Sequence, residues 1–151
     1  MKCFAVLFAL ANVLALPARA DDRPITPPSQ PSAPRLADIM GTTQLRHLKL
    51  WYAGKEKNWG LAEYELGQIK ESFQDAMTYY PGLPVSDMTT MAKPASRIGS
   101  AIRAKNGDMF VQAFREVTTA CNACHQAQGY GYIAIKVPTS SPFSNQSFAP
   151  K

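Results

Sequence analysis

Between positions 59 and 80 the apolar residues Ala62, Leu66, Ile69, Phe73, Ala76 and Tyr80 return at alternating steps of four and three. That rhythm places them on one stripe of an α-helix, because about 3.6 residues make a turn. Residues 36 to about 57 carry apolar or aromatic side chains at 36, 39, 40, 45, 48, 50, 51 and 52 with no proline among them, and Pro34 lies just ahead, where a helix start tolerates it. Residues 87 to 105 hold Met88, Met91, Ala95, Ile98 and Ile102 on one face, although Pro94 is predicted to break or kink that helix. Residues 109 to 128 keep Phe110, Phe114, Val117, Cys121 and Cys124 in the same register. Asn58 and the Asn106-Gly107-Asp108 turn supply caps, while the prolines at 81 and 84 end the second helix and Gly129 ends the fourth. Up to residue 128 no segment alternates like a half-buried strand. The predicted fold class is therefore all-α, an antiparallel four-helix bundle over residues 36–128.

The flanks differ in kind from the bundle. Residues 1–20 combine Lys2, an apolar run from Phe4 to Leu16 and the triplet Ala18-Arg19-Ala20, the pattern of a secretory signal peptide. Cleavage after Ala20 and export to the periplasm are expected. The apolar run is too short to span a bilayer, and no other segment is long and apolar enough to do so. Residues 21–35 contain five prolines and almost no large apolar residue, which reads as a disordered arm. Residues 129–151 open with the β-like run Tyr132 to Val137 and continue rich in proline and serine. This C-terminal segment is expected to be an extended tail whose Ile133, Ile135, Phe143 and Phe148 lie against the bundle, a disordered end beyond Pro142 being the alternative.

Charge narrows the function little. The formal net charge of +5 falls to +3 once Lys2 and Arg19 leave with the leader, and no Lys/Arg-rich run or nucleic-acid motif is present. Cysteine usage narrows it more. Cys3 leaves with the leader, so the mature chain keeps only Cys121 and Cys124, and a disulfide across so short a loop would stabilise almost nothing. Their role is expected to be chemical.

Those two cysteines sit in Cys121-Asn122-Ala123-Cys124-His125, a Cys-x-x-Cys-His sequence. At this spacing on a helical turn, two thiols reach the vinyl groups of a haem and the adjacent histidine is presented to the iron. Export, the lack of competing cysteines and a position on a helix facing a bundle core all agree with one covalent haem c. Other chemistries fit less well. A structural zinc needs four ligands, and the mature chain offers only Cys121, Cys124, His125 and the distant His47. A thioredoxin-type dithiol opens a helix beside a βαβ unit, whereas this pair closes a helix. A catalytic Cys-His pair lacks a third orienting group, and neighbours on a helix point about 100° apart. An exported helical bundle with an incidental motif is the remaining non-haem reading.

With Cys-x-x-Cys-His near the end of its fourth helix, the chain resembles the cytochrome c prime group of four-helix haem proteins. The resemblance covers residues 36 to 128, and only CNACH is specific in it. It implies His125 as the proximal iron ligand and Cys121 and Cys124 as the attachment points. Members often carry a tyrosine-arginine pair shortly after the motif, where this chain has Gln126-Ala127-Gln128-Gly129-Tyr130, and they lack a long tail. The chain therefore looks like a divergent branch. The resemblance also implies first-helix dimers, which makes a homodimer one expectation, although no distinct patch in the sequence marks an interface.

The opposite face of the iron separates functions, since a strong sixth ligand makes an electron carrier and an open apolar face admits a small gas. Aligning Arg46 with an arginine of the resembling group puts Leu50 over the iron and leaves the site open. His47 and Met40 are the ligating alternatives, and Arg46 is a candidate partner for a haem propionate. Met77, Met88 and Met91 read as core fillers, and Trp51, Trp59, Tyr64 and Phe114 as packing residues. The leading expectation is a periplasmic mono-haem electron carrier, not an enzyme, serving redox partner proteins. Binding or sensing of a diatomic gas at a five-coordinate haem is the alternative.

Overall fold

A computed structural model describes residues 33–83 and 90–151 of the chain. The expected signal peptide, the expected arm up to residue 32, Asp87 and Met88 lie outside the described residues. Among the described residues four helices follow in order: α1 (Leu36–Lys55), α2 (Trp59–Tyr79), α3 (Ala92–Arg103) and α4 (Gly107–Ala127). Each packs on its neighbour in sequence, and α1 also packs on α4, which closes the four into a bundle. No strand occurs among the described residues.

The helix ends follow local chemistry. Asn58 caps α2, its side-chain oxygen accepting from the Leu61 N–H at 3.2 Å, and Asn106 caps α4 in the same way through the Met109 N–H at 3.0 Å. The turns before these caps place Lys57 and Lys105 in the left-handed region, at φ 58° and 51°. Gly129 takes φ 77° and stops α4, as the sequence predicts. The third helix corrects the reading in one respect. It begins at Ala92 and runs without a break past Pro94. Pro94 stands in its first turn, where backbone N–H groups have no partner within the helix and a missing one costs nothing.

The core gathers Leu50 and Ala53 of α1, Leu66 and Ile69 of α2, Ile98 and Ile102 of α3, and Phe110, Phe114 and Val117 of α4. Trp51 lies 4.8 Å from Phe114 and Trp59 6.1 Å from Phe110, ring centre to ring centre, so both pack on the core as expected. Met91 is buried, but Met77 is 40 % exposed and Tyr64 54 %, so neither of these is a core filler. The tail continues the core. Phe148 is buried at 7 % exposure, 5.6 Å from the Tyr52 ring and 5.3 Å from Phe143. Nearby, the Asn58 side chain donates to the Ala149 carbonyl at 3.3 Å.

One glycine is fixed by packing. A Cβ on Gly54 would overlap the ring of Phe110, which seats α4 against the end of α1. Gly54→Ala is therefore expected to lower stability by about 1–3 kcal/mol in chemical denaturation, the usual cost of overpacking. The gain of up to about 1 kcal/mol from alanine's better helix propensity does not offset it.

Candidate functional site

Helices α1, α2 and α4 and the tail line a cavity of about 330 Å³. Helix α1 contributes Met40, Thr43, Gln44 and His47 to its wall, and α4 contributes Cys121, Cys124 and His125. Phe73 of α2 and Leu83 close one side, while Tyr130, Ile133 and Ile135 of the tail close another. The wall is predominantly apolar with a few polar groups, and the size lies within the range of organic-ligand sites. All three residues of the Cys-x-x-Cys-His signature thus open on one space together with His47 and Met40. Leu50 does not line it and is wholly buried in the core.

His125 is oriented by the tail. Its Nδ1 lies 2.7 Å from the Ile133 carbonyl oxygen. A carbonyl only accepts, so Nδ1 carries a proton, and in the neutral ring the lone pair is on Nε2. This is the arrangement in which metal-binding histidines are usually held, the second ring nitrogen donating to a fixed acceptor. The run from Tyr132 to Val137, β-like in sequence, pairs with no strand here. Its polar backbone groups are met instead by α4 side chains: Asn122 donates through Nδ2 to the Ile135 carbonyl at 2.9 Å and accepts from the Ile135 N–H at 2.7 Å.

His47 faces His125 from α1 in the opposite tautomer. The Thr118 hydroxyl donates to the Phe114 carbonyl at 2.9 Å, so toward the imidazole its oxygen can only accept. His47 Nε2, 2.9 Å from that oxygen, is then the donor, and the lone pair sits on Nδ1. The ring is 4 % exposed and lies 4.4 Å from the Phe114 ring. Burial lowers its pKa from 6.5 to about 4, so the ring is neutral at pH 7. A depressed pKa in a base means that the unfolded chain takes up a proton first as the pH falls. With nothing bound to the ring, stability is complete above pH 6.5 and declines between pH 6.5 and 4, by at most about 3 kcal/mol. Denaturation midpoints across this window should fall less steeply in His47→Gln.

Neither cysteine is in a disulfide. Burial first, and then the neighbouring Cys124, push the Cys121 thiol up to about 11. A redox dithiol works through a thiolate of lowered pKa, so this environment does not favour one. Among the described residues no three His, Cys, Asp or Glu side chains gather as a site for a bare metal ion. The donor set fits a haem instead: two thiols for its vinyl groups, one imidazole whose free lone pair is on Nε2, and an apolar wall for the porphyrin.

Arg46 is engaged elsewhere. Its Nη1 lies 3.2 Å from Oε2 of buried Glu65 on α2, its guanidinium lies over the Tyr64 ring at 5.7 Å, and it does not line the cavity. Thr118, Asn122 and the Ile133 carbonyl are site groups that the sequence reading missed. Thr118 carried a usable signal, since it lies three and seven residues before Cys121 and His125 and so shares their face of α4.

No family model matches the chain, and no curated protein or solved structure gives a match.

Proposed function

We propose that this protein is a periplasmic mono-haem c-type cytochrome that carries single electrons between redox partner proteins. The observation that supports it best is the convergence of Cys121, Cys124 and His125 on one apolar cavity, with the His125 Nδ1–H held by a carbonyl and neutral His47 across the space. In this reading Cys121 and Cys124 fix the group covalently and His125 offers Nε2. The Ile133 carbonyl makes that nitrogen a stronger donor, and the apolar wall excludes water. Bound there, a haem iron supplies a one-electron redox change. The resemblance to the cytochrome c prime group, with the homodimer it implies, rests on CNACH and the helix count.

A second reading, binding of a diatomic gas, draws on the tether of His47. Its Nε2–H is tied to Thr118 on α4, which holds the ring in place and would leave the sixth position open. Intact mass and optical spectra of the purified protein distinguish the two. Haem mass with low-spin bands indifferent to carbon monoxide is the expected result, and high-spin bands that shift with carbon monoxide favour the gas binder. A chain without haem mass overturns both. In His47→Ala the low-spin spectrum should be lost; its survival removes His47 as a ligand.

A further inference from the structure

We propose that Asn122, the first variable residue inside Cys-x-x-Cys-His, is a positioning residue for His125 that acts through the tail. Asn122 and His125 are three apart on α4 and so neighbour each other on its surface. The tail runs back along this surface in the opposite direction, with Ile135 on Asn122 and Ile133 on His125. In an extended segment, residues two apart direct their backbone polar groups to the same side. The spacing of 133 and 135 therefore lets one stretch of backbone serve both α4 side chains.

The two contacts differ in what they can fix. The Asn122 amide meets both the N–H and the C=O of Ile135, a two-point bond that sets position and register together. The His125 bond is a single point and sets neither by itself. On the other side of Ile133 the backbone is held by the turn that ends α4: the Tyr130 N–H donates to the His125 carbonyl at 2.7 Å and the Ile133 N–H to the Tyr130 carbonyl at 2.8 Å. The accepting carbonyl thus lies between two fixed points, one built by the helix end and one by Asn122. Without Asn122 the second point is lost, since among the described residues the hydrogen bonds that hold the Ile135 backbone both come from Asn122. Alanine at 122 would leave the cysteines and the histidine untouched and release only the acceptor.

The consequence for iron rests on the haem reading, but the hydrogen bond can be read without it. In the full-length purified protein with ¹⁵N-labelled histidine, solvent exchange of the His125 Nδ1–H is followed by NMR alongside the midpoint potential. Asn122→Ala should speed the exchange at least tenfold and raise the potential, because a less basic imidazole stabilises the oxidised iron less. Asn122→Asp, which keeps the acceptor for the Ile135 N–H and loses the donor, should fall between the two. Helix content should not change. Wild-type exchange in both variants overturns the proposal, as does fast exchange that alanine and aspartate share with an unchanged potential. If alanine prevents folding, the aspartate variant decides: intermediate exchange supports the role and wild-type exchange overturns it. A protein that carries no haem overturns the proposed function, and the exchange measurement then tests Asn122 alone.

Discussion

Phe114→Ala is expected to lower the free energy of unfolding by about 3–5 kcal/mol, the range for removing a buried aromatic ring. Phe114 is fully buried on α4 and meets three rings, His47 at 4.4 Å, Trp51 at 4.8 Å and Phe110 at 6.0 Å, two of them on α1. The contact between α1 and α4 is the one that closes the bundle, so the hole falls where the fold is joined rather than within one hairpin. A domain with about 5–15 kcal/mol in total loses a large share of it. Urea denaturation monitored by tryptophan fluorescence measures the loss, and Phe114→Leu should keep most of the stability. Because the ring also supports the imidazole, the alanine variant should disturb His47 before it unfolds the chain. A change in the optical spectrum below the denaturation midpoint would register this.

Arg46→Met should cost about as much, by a different route. Glu65 is a carboxylate at 1 % exposure, and Arg46 is the cation the structure places on it. Removing one member of a buried pair strands the other away from water, at about 3–5 kcal/mol. The pair itself is not especially favourable, since the Arg46 Nε is buried with no hydrogen-bond partner among the described residues. Arg46→Met combined with Glu65→Leu should therefore recover most of the stability lost in the single variant. Thermal unfolding of the single and double variants provides the measurement. A recovered double variant with an unaltered optical spectrum would also show that Arg46 serves the α1–α2 seam and not a haem propionate.

The contrast between Arg46 and His47 shows what the sequence could and could not convey. Helices α1, α2 and α4, the caps at Asn58 and Asn106 and the stop at Gly129 were legible because each depends on residues within a few positions of one another. CNACH was legible for the same reason, and His47 stood out as the only other histidine. The partner of Arg46 is 19 residues away on another helix, and no periodicity announces it. Pro94 misled because the same residue breaks a helix interior and suits a first turn, and only the true start at Ala92 tells which applies. Asn122 looked like a neutral position in a motif whose meaning lies in its three fixed letters. Its role appears only when residues 133 and 135 fold back on it.

The burial of Phe148 sets an order of events. The Asn58 bond to Ala149 joins positions 91 apart, and Phe148 completes a core that α1 and α2 began. A chain delivered from its N-terminus presents Cys121 and Cys124 before Tyr130, Ile133 and Ile135 have arrived and before Phe148 anchors the tail, so for that interval the wall made by the tail is unfinished and the thiols are reachable. On the haem reading this would give attachment a window in time, before Tyr130, Ile133 and Ile135 complete the wall beside Cys121 and Cys124.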